Sequence, residues 1–272
     1  MPKPIVRVSR SIWRASGLTG GERVIPEETA IAFAFNTATY AVMMATPQDL
    51  EDFAVGFSLT EGVISSIDAI DSIDIVEEEI GIELRIWLKA REATEFLGRR
   101  RKMAGPTGCG LCGIESLTEA MRPPPKVEEG CAFTPGQIMS AIDALFPMQV
   151  LNHETRAVHA AGFYEPGRGL VALREDVGRH NALDKLAGAL ARDGTSARDG
   201  LVVLTSRVSI EMVQKAAMIG APVLAAVSAP TALAVRMADA AGMTLIAIAR
   251  KDGFEVFTHP HRVKGEIASH VA

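Results

Sequence analysis

The chain has 272 residues, 48% of them hydrophobic, and 28 Lys and Arg against 33 Asp and Glu give it a formal net charge of −5. That is enough apolar material for a real core divided between two domains, and the acidic balance excludes a global nucleic-acid footprint. Every long apolar run is cut by Arg, Lys, Pro or Gly, so no membrane span is predicted, and the start, Met1-Pro2-Lys3-Pro4-Ile5-Val6-Arg7, lacks the apolar stretch of a secretion signal. Three cysteines, an odd count without such a signal, point to a reducing cytoplasm rather than a disulfide framework.

In chain order, Thr29–Phe35 and Tyr40–Met44 read as paired strands around Asn36–Thr39. Thr46-Pro47-Gln48-Asp49 then supplies an N-cap, a proline at the first helical position and an acid in the first turn. Leu50, Phe53, Ala54 and Phe57 follow at helical spacing, and Gly62 stops the helix. Strands are predicted at Ile73–Val76 and Ile82–Leu88, then a basic helix at Glu92–Lys102 and a short helix carrying Ile114, Leu117 and Met121. Pro123-Pro124-Pro125, with acidic neighbours, is the candidate linker, dividing residues 1–125 from 126–272.

Between those two helices lies Gly105-Pro106-Thr107-Gly108-Cys109-Gly110-Leu111-Cys112-Gly113, just after the basic run Arg99-Arg100-Arg101-Lys102. A cysteine attacks as thiolate, and neighbouring positive charge lowers its pKa. Four glycines strip the segment of side chains, so Cys109 and Cys112 are the candidate sulfur-chemistry residues. Cys131 stands alone after Glu128-Glu129-Gly130 and reads as structural.

The second half alternates differently. A capping box, Thr134-Pro135-Gly136-Gln137, opens a helix through Phe146. A hairpin follows from Ala157–Phe163 through Pro166–Gly169 to Leu170–Arg174, then a helix over 178–191. Strands at Leu201–Thr205, Pro222–Val227 and Met243–Ala249 alternate with helices, and Phe254–Thr258 closes the unit. Near-continuous apolar strands between helices imply a mixed or parallel sheet covered on both faces. In such sheets ligands sit beyond the carboxyl ends of the strands, where this chain places Thr205-Ser206-Arg207, Ser228-Ala229-Pro230 and Arg250-Lys251-Asp252-Gly253. These offer hydroxyls, backbone N–H groups and cations for an anion, with Asp252 able to meet a guanine edge; solvated loops are the plainer alternative. No dinucleotide-binding glycine motif and no Walker lysine is present.

One further segment is dense in polar groups: Arg174-Glu175-Asp176-Val177-Gly178-Arg179-His180-Asn181-Ala182-Leu183-Asp184-Lys185. On a helix His180 stacks over Asp184 and Asn181 over Lys185, and so polar a stretch beside buried strands is predicted to line a cleft. His159 and His180 are candidates for moving protons, although a hydrogen-bonding histidine is the commoner outcome.

The chain resembles the FdhD family of formate dehydrogenase accessory sulfurtransferases. The likeness rests on Gly108–Gly113, Glu175–Lys185, Gly220–Pro230, Thr258-His259-Pro260 and Gly56–Gly62, in that family's order and spacing over most of the chain. It implies a small N-terminal α+β domain and a cytidine-deaminase-like, three-layer α/β domain. It further implies a homodimer whose Cys109 takes sulfur from a cysteine desulfurase as a persulfide, with Cys112 assisting. The sulfur would pass to the molybdenum of bis-molybdopterin guanine dinucleotide before the cofactor enters formate dehydrogenase. The resemblance maps the guanine end of that cofactor to Ile248, Ala249, Arg250, Lys251, Asp252 and Gly253, with Ser206, Arg207, Ser228 and His180 in the same cleft and GDP as a surrogate ligand; no metal ligands are assigned. Two departures fall in this cleft: Thr205-Ser206-Arg207-Val208-Ser209 where the family has Ser-Gly-Arg-x-Ser, and Thr155-Arg156-Ala157-Val158-His159 where it has Thr-Gly-Gly-x-His.

Two readings compete. A zinc deaminase-like hydrolase would carry H-x-E upstream of P-C-x-x-C, but no histidine precedes His153, and Pro106 is three residues from Cys109. A non-catalytic scaffold with a structural cysteine pair would need further ligands, commonly a second C-x-x-C.

Overall fold

The computed structural model describes residues 1–90 and 121–265. The helices predicted at 92–102 and 114–120, Cys109 and Cys112 lie outside the described residues.

The chain begins with a strand pair that its sequence pattern does not signal. β1 (Ile5–Arg14) and β2 (Gly17–Pro26) form an antiparallel ribbon of ten residue pairs. Arg7, Ser9, Arg10 and Ser11 on one strand and Gly20-Gly21 on the other break the apolar alternation that marks a half-buried strand. The ribbon stands out from the body, leaving Trp13 78% and Leu18 70% exposed opposite each other near its tip. Its root is tied down where Arg23 Nη2 donates to the Thr155 carbonyl at 3.1 Å.

Strands β3 (Thr29–Phe35), β4 (Ala38–Ala45), β5 (Ile70–Glu78) and β6 (Gly81–Leu88) form a second sheet in the order β4-β3-β6-β5, with only β3 and β6 parallel. Alternate residues of β6, Ile82, Leu84, Ile86 and Leu88, are buried, so one face is covered. The cover is helix α1 (Leu50–Thr60), whose Phe53 and Phe57 rings lie 4.9 and 3.9 Å from that of Phe33. Thr46 does not cap this helix. Asp49, in the left-handed region, precedes it, and Thr46 is spent on the other half of the molecule: its N–H donates to Asp176 Oδ2 and its hydroxyl accepts from the Val177 N–H.

The third sheet has six strands in the order β12-β11-β10-β9-β7-β8. β7 (His159–Glu165) and β8 (Gly169–Asp176) are the predicted hairpin, and β9 (Leu201–Leu204), β10 (Val223–Ala226) and β11 (Thr244–Arg250) are mutually parallel. β12 (Gly253–Val256) runs antiparallel on the edge. Every residue of β9 and β10 is buried, as strands covered on both faces require. Helix α2 (Pro135–Met148), opened by the predicted capping box, places Ile138, Ala141 and Leu145 on one face. On the other lie α4 (Arg179–Asp193), α5 (Ile210–Met218) and α6 (Ala232–Ala241), contributing Leu183, Leu186, Val213 and Ala238. Helix α3 (Val150–Thr155) links α2 to β7, with Glu175 accepting the Leu151 and Asn152 N–H groups at its start. This is the expected mixed α/β, three-layer arrangement.

α1 and α4 join the halves at a distance that only glycine permits. A Cβ on Gly56 would sit 1.6 Å from the Asp184 carbonyl oxygen, and one on Gly188 would sit 1.8 Å from that of Asp52. Three charge clusters, each built on a buried carboxylate, flank this contact. Lys185 Nζ meets Asp176 at 2.6 Å and the Thr46 carbonyl at 2.8 Å. Asp184 receives Thr60 Oγ1 at 2.5 Å and Lys215 Nζ at 2.9 Å, while Lys215 also holds Glu61 at 2.6 Å. Asp52 takes Arg174 and Arg192, each at 2.6 Å. Of the cleft predicted along 174–185, Asn181, Asp184 and Lys185 are instead buried against the N-terminal half. Asp184 and Lys185 each face an opposite charge there, Lys215 and Asp176.

Candidate functional site

The carboxyl ends of β9, β10 and β11 all open on one edge of the six-stranded sheet, and the sequence-predicted site residues lie along it. After β9 the chain turns through Thr205, whose hydroxyl accepts the Ala160 N–H at 2.9 Å, to a buried Ser206 that donates to the Arg207 carbonyl, and an exposed Arg207. After β10, the Ser228 carbonyl accepts the Ile248 N–H from β11. Ile248 has φ 53 within a bulge, Ala249 is buried, and Arg250 pairs with Gly253 to close a hairpin whose exposed tip is Lys251-Asp252. The structure thus puts Ser206, Arg207 and Ser228 together but sets Asp252 apart. β11 is two strands from β9, about 10 Å at ordinary strand spacing, and Asp252 caps an exposed turn beyond it.

The edge has a second, more enclosed centre, and sequence reasoning found only one of its members, His180. It forms where α4 and α5 begin. Neither helix is closed by a side-chain cap, at Gly178 or at Ser209, so their first N–H groups and positive dipole ends face the same region. His180 Nε2 lies 3.9 Å from Glu211 Oε2, too far for a hydrogen bond, and both side chains are only 13% exposed. Arg179 Nε, His180 Nε2, Ser209 Oγ and Glu211 Oε2 are all buried without a hydrogen-bond partner, and among the described residues only Arg262 Nε shares that condition elsewhere. Each such group typically costs about 1–3 kcal/mol unless something outside the chain satisfies it, which makes their convergence a mark of a binding site.

The charges here are set by their neighbours. The His180 ring outweighs burial and holds the Glu211 carboxyl at about 2, so it is ionised. Burial, and then the Arg179 charge, lower the pKa of His159, which pairs with Asp176 across β7 and β8. Behind the site, burial drives Asp184 up, and burial also opposes the Lys215 charge, yet Asp184 and Glu61 together raise Lys215. Among the described residues no three His, Cys, Asp or Glu side chains are grouped as a metal ion would need.

Cys109 and Cys112 lie outside the described residues, but the chain that follows them is placed. The Arg122 carbonyl accepts Gln214 Nε2 at 2.9 Å, on α5 one turn beyond Glu211. Arg122 and His180 are both close enough to pull Glu61 downward, after burial and Lys215 have had their opposing effects. Arg122, ten residues after Cys112 in the sequence, is therefore held beside the α4–α5 centre. Arg156 ends α3 at φ 58, a left-handed conformation that favours glycine. That explains why glycine suits this position in the resembling pattern and why Arg156 fills it under strain.

The sequence matches the model of the FdhD/NarQ family over residues 26–264. The chain belongs to the FdhD/NarQ family. Among the family's curated members, the sulfur carrier protein FdhD of Agrobacterium fabrum is 54% identical over 94% of this chain and 95% of its own. Those of Brucella abortus and Cupriavidus necator are 54% and 46% identical, over 92% and 94% of this chain and 93% and 89% of theirs. In fold, the chain is similar to a crystal structure from Desulfotalea psychrophila, described as that of a candidate formate dehydrogenase accessory protein. That similarity has a TM-score of 0.74 and 26% identity over 96% of this chain and 99% of the other. The matched FdhD/NarQ region begins at Pro26, the last residue of β2, and leaves the rest of the β1–β2 ribbon outside it.

Proposed function

We propose that the protein carries sulfur for the maturation of formate dehydrogenase, as a sulfurtransferase working through a persulfide on Cys109. The observation that carries the reading is the anchoring of Arg122, ten residues after Cys112 in the sequence, one helical turn from the unsatisfied α4–α5 centre. The near-full-length likeness to proteins named sulfur carriers supports it. The donor is a cysteine desulfurase carrying a terminal sulfur on its own cysteine. Cys109 thiolate attacks that sulfur, a new S–S bond forms at Cys109, and the desulfurase cysteine leaves as thiolate. The basic run Arg99–Lys102 favours the thiolate form that this attack requires, and Cys112 assists.

The acceptor is the molybdenum of bis-molybdopterin guanine dinucleotide, bound as cargo along the carboxyl edge and handed on to formate dehydrogenase. Ser206, Arg207 and Ser228 supply hydroxyl, cation and backbone groups suited to its anionic parts, and two uncapped helix starts add to them. Ile248–Gly253 borders the same edge, and GDP serves as a soluble surrogate for the nucleotide arms. Action as a homodimer in the cytoplasm completes the reading; among the described residues no helix is long and apolar enough to cross a membrane.

Intact mass spectrometry after incubation with a cysteine desulfurase and cysteine tests the sulfur step. One added sulfur on the peptide containing Cys109, lost in Cys109→Ala and retained in Cys131→Ala, is expected. A full adduct on Cys109→Ala protein overturns it.

A further inference from the structure

Four of the five buried, unpartnered side-chain polar atoms among the described residues belong to the starts of α4 and α5, where His180 faces Glu211, and their types narrow what can fill the region between them. Arg179 Nε is a donor, Ser209 Oγ donates or accepts, His180 Nε2 does either according to its tautomer, and Glu211 Oε2 only accepts. A lone phosphate would suit Arg179 and the helix starts but would meet the like charge of Glu211. The missing partner must offer donors to a carboxylate and, alongside them, an acceptor to the other groups. One heterocyclic edge does so: the 2-amino-4-oxopyrimidine unit shared by guanine and pterin presents an amino group, a ring N–H and a carbonyl in a row.

We infer that Glu211, not Asp252, is the carboxylate that reads the amino and ring N–H groups of a guanine or pterin edge, with Arg179, His180 and Ser209 grouped to donate to the adjoining carbonyl. The inference rests on the proposed cofactor cargo, since both heterocycles belong to it. Geometry favours Glu211 in two respects. Its carboxylate sits in a largely enclosed site, where a charge-assisted pair counts for more than in water, whereas Asp252 is exposed on the β11–β12 turn, where water competes for it. At 3.9 Å from His180 Nε2, the buried Oε2 of Glu211 also has no hydrogen bond of its own to give up to a ligand.

Calorimetry on the full chain tests this with GDP, IDP, ADP and 6-hydroxymethylpterin. IDP lacks the amino group and ADP lacks the whole donor pair, so wild-type protein should bind GDP or the pterin at least about tenfold more tightly than IDP and ADP. Glu211→Gln should weaken the preferred ligand by about tenfold to a hundredfold, while Asp252→Ala leaves it unchanged. Preference for GDP assigns the site to the nucleotide arm, and preference for the pterin assigns it to the tricyclic end. Equal affinity of wild-type protein for GDP and IDP, with no pterin bound, overturns the inference without needing any variant to fold. So does a Glu211→Gln protein with the wild-type circular dichroism spectrum that keeps full affinity and selectivity; in that case the cargo reading stands. If wild-type protein binds neither GDP nor the pterin, the cargo reading and the inference fall together.

Discussion

Replacing Gly56 with alanine should separate the two halves of the molecule. The added Cβ would sit 1.6 Å from the Asp184 carbonyl oxygen, with the Gly188 nitrogen 2.6 Å away. Ordinary contact is about 3.5 Å. A methyl group has no rotamer that escapes, so α1 and α4 must part by about 2 Å. Alanine returns about 0.5–1 kcal/mol in helix propensity, and overpacking removes about 1–3 kcal/mol. A 2 Å displacement also stretches the 2.6 Å contacts of the buried Asp52 on α1 with Arg174 and Arg192 beyond hydrogen-bonding range, and an uncompensated buried charge costs about 3–5 kcal/mol. The net loss is about 4 kcal/mol, or about 10 °C in melting temperature for a chain of this size. Gly188→Ala should do the same through the Asp52 carbonyl. The double variant should fall short of the sum, because the first methyl already opens the gap for the second. Gly136→Ala, whose Cβ would find nothing nearer than 3.9 Å, is the control. Scanning calorimetry and circular dichroism read the result, and a Gly56→Ala melting temperature within about 2 °C of wild type would refute the contact as described.

Glu211 is held at about 2, below the ~4.3 of a free glutamate. Its contribution to stability is therefore complete above the unfolded value and is lost as pH falls toward 2. Glu211→Gln should flatten the acid limb of melting temperature against pH below about 5, and curves that stay parallel to wild type would count against the His180 pairing. Arg156→Gly relieves a left-handed arginine at φ 58, worth about 1 kcal/mol, and should raise the melting temperature by about 2–4 °C; a fall would show that the Arg156 side chain contributes more than its backbone costs. The chain has two tryptophans, so Trp87→Phe leaves Trp13 as the sole emitter. Its 78% exposure predicts a red-shifted emission, readily quenched by acrylamide, and a shielded, blue-shifted signal would mean that the ribbon tip is covered in solution.

The central sheet was the most legible part of the fold, because β9 and β10 are short apolar runs and such strands announce their own burial. The Thr134 capping box was equally local, and it is present. What could not be read was long-range. Asp184 and Lys185 look like surface residues until their partners are known. Thr60 is 124 positions from Asp184 and Thr46 is 139 from Lys185, and no local periodicity reports such pairings. Thr46 failed as a predicted cap for the same reason, since the far half claims its N–H, hydroxyl and carbonyl. At the site, the rule about carboxyl ends pointed to Ser206 and Ser228, and the density of polar groups along 174–185 pointed to His180. Both passed over Glu211, because an acid in a helix's first turn ordinarily just complements the dipole. Its one available signal was its position directly after the β9 turn.

Arg122 is held to α5 through Gln214, and in the sequence Cys112 lies ten residues before it and Cys109 thirteen, on the same covalent chain. The proposed sulfur pathway is thus kinetically lopsided. Loading Cys109 is a meeting of two proteins, and its rate should rise with desulfurase concentration. Unloading onto cargo held beside α5 is an event within one tethered body, governed by local concentration and indifferent to dilution.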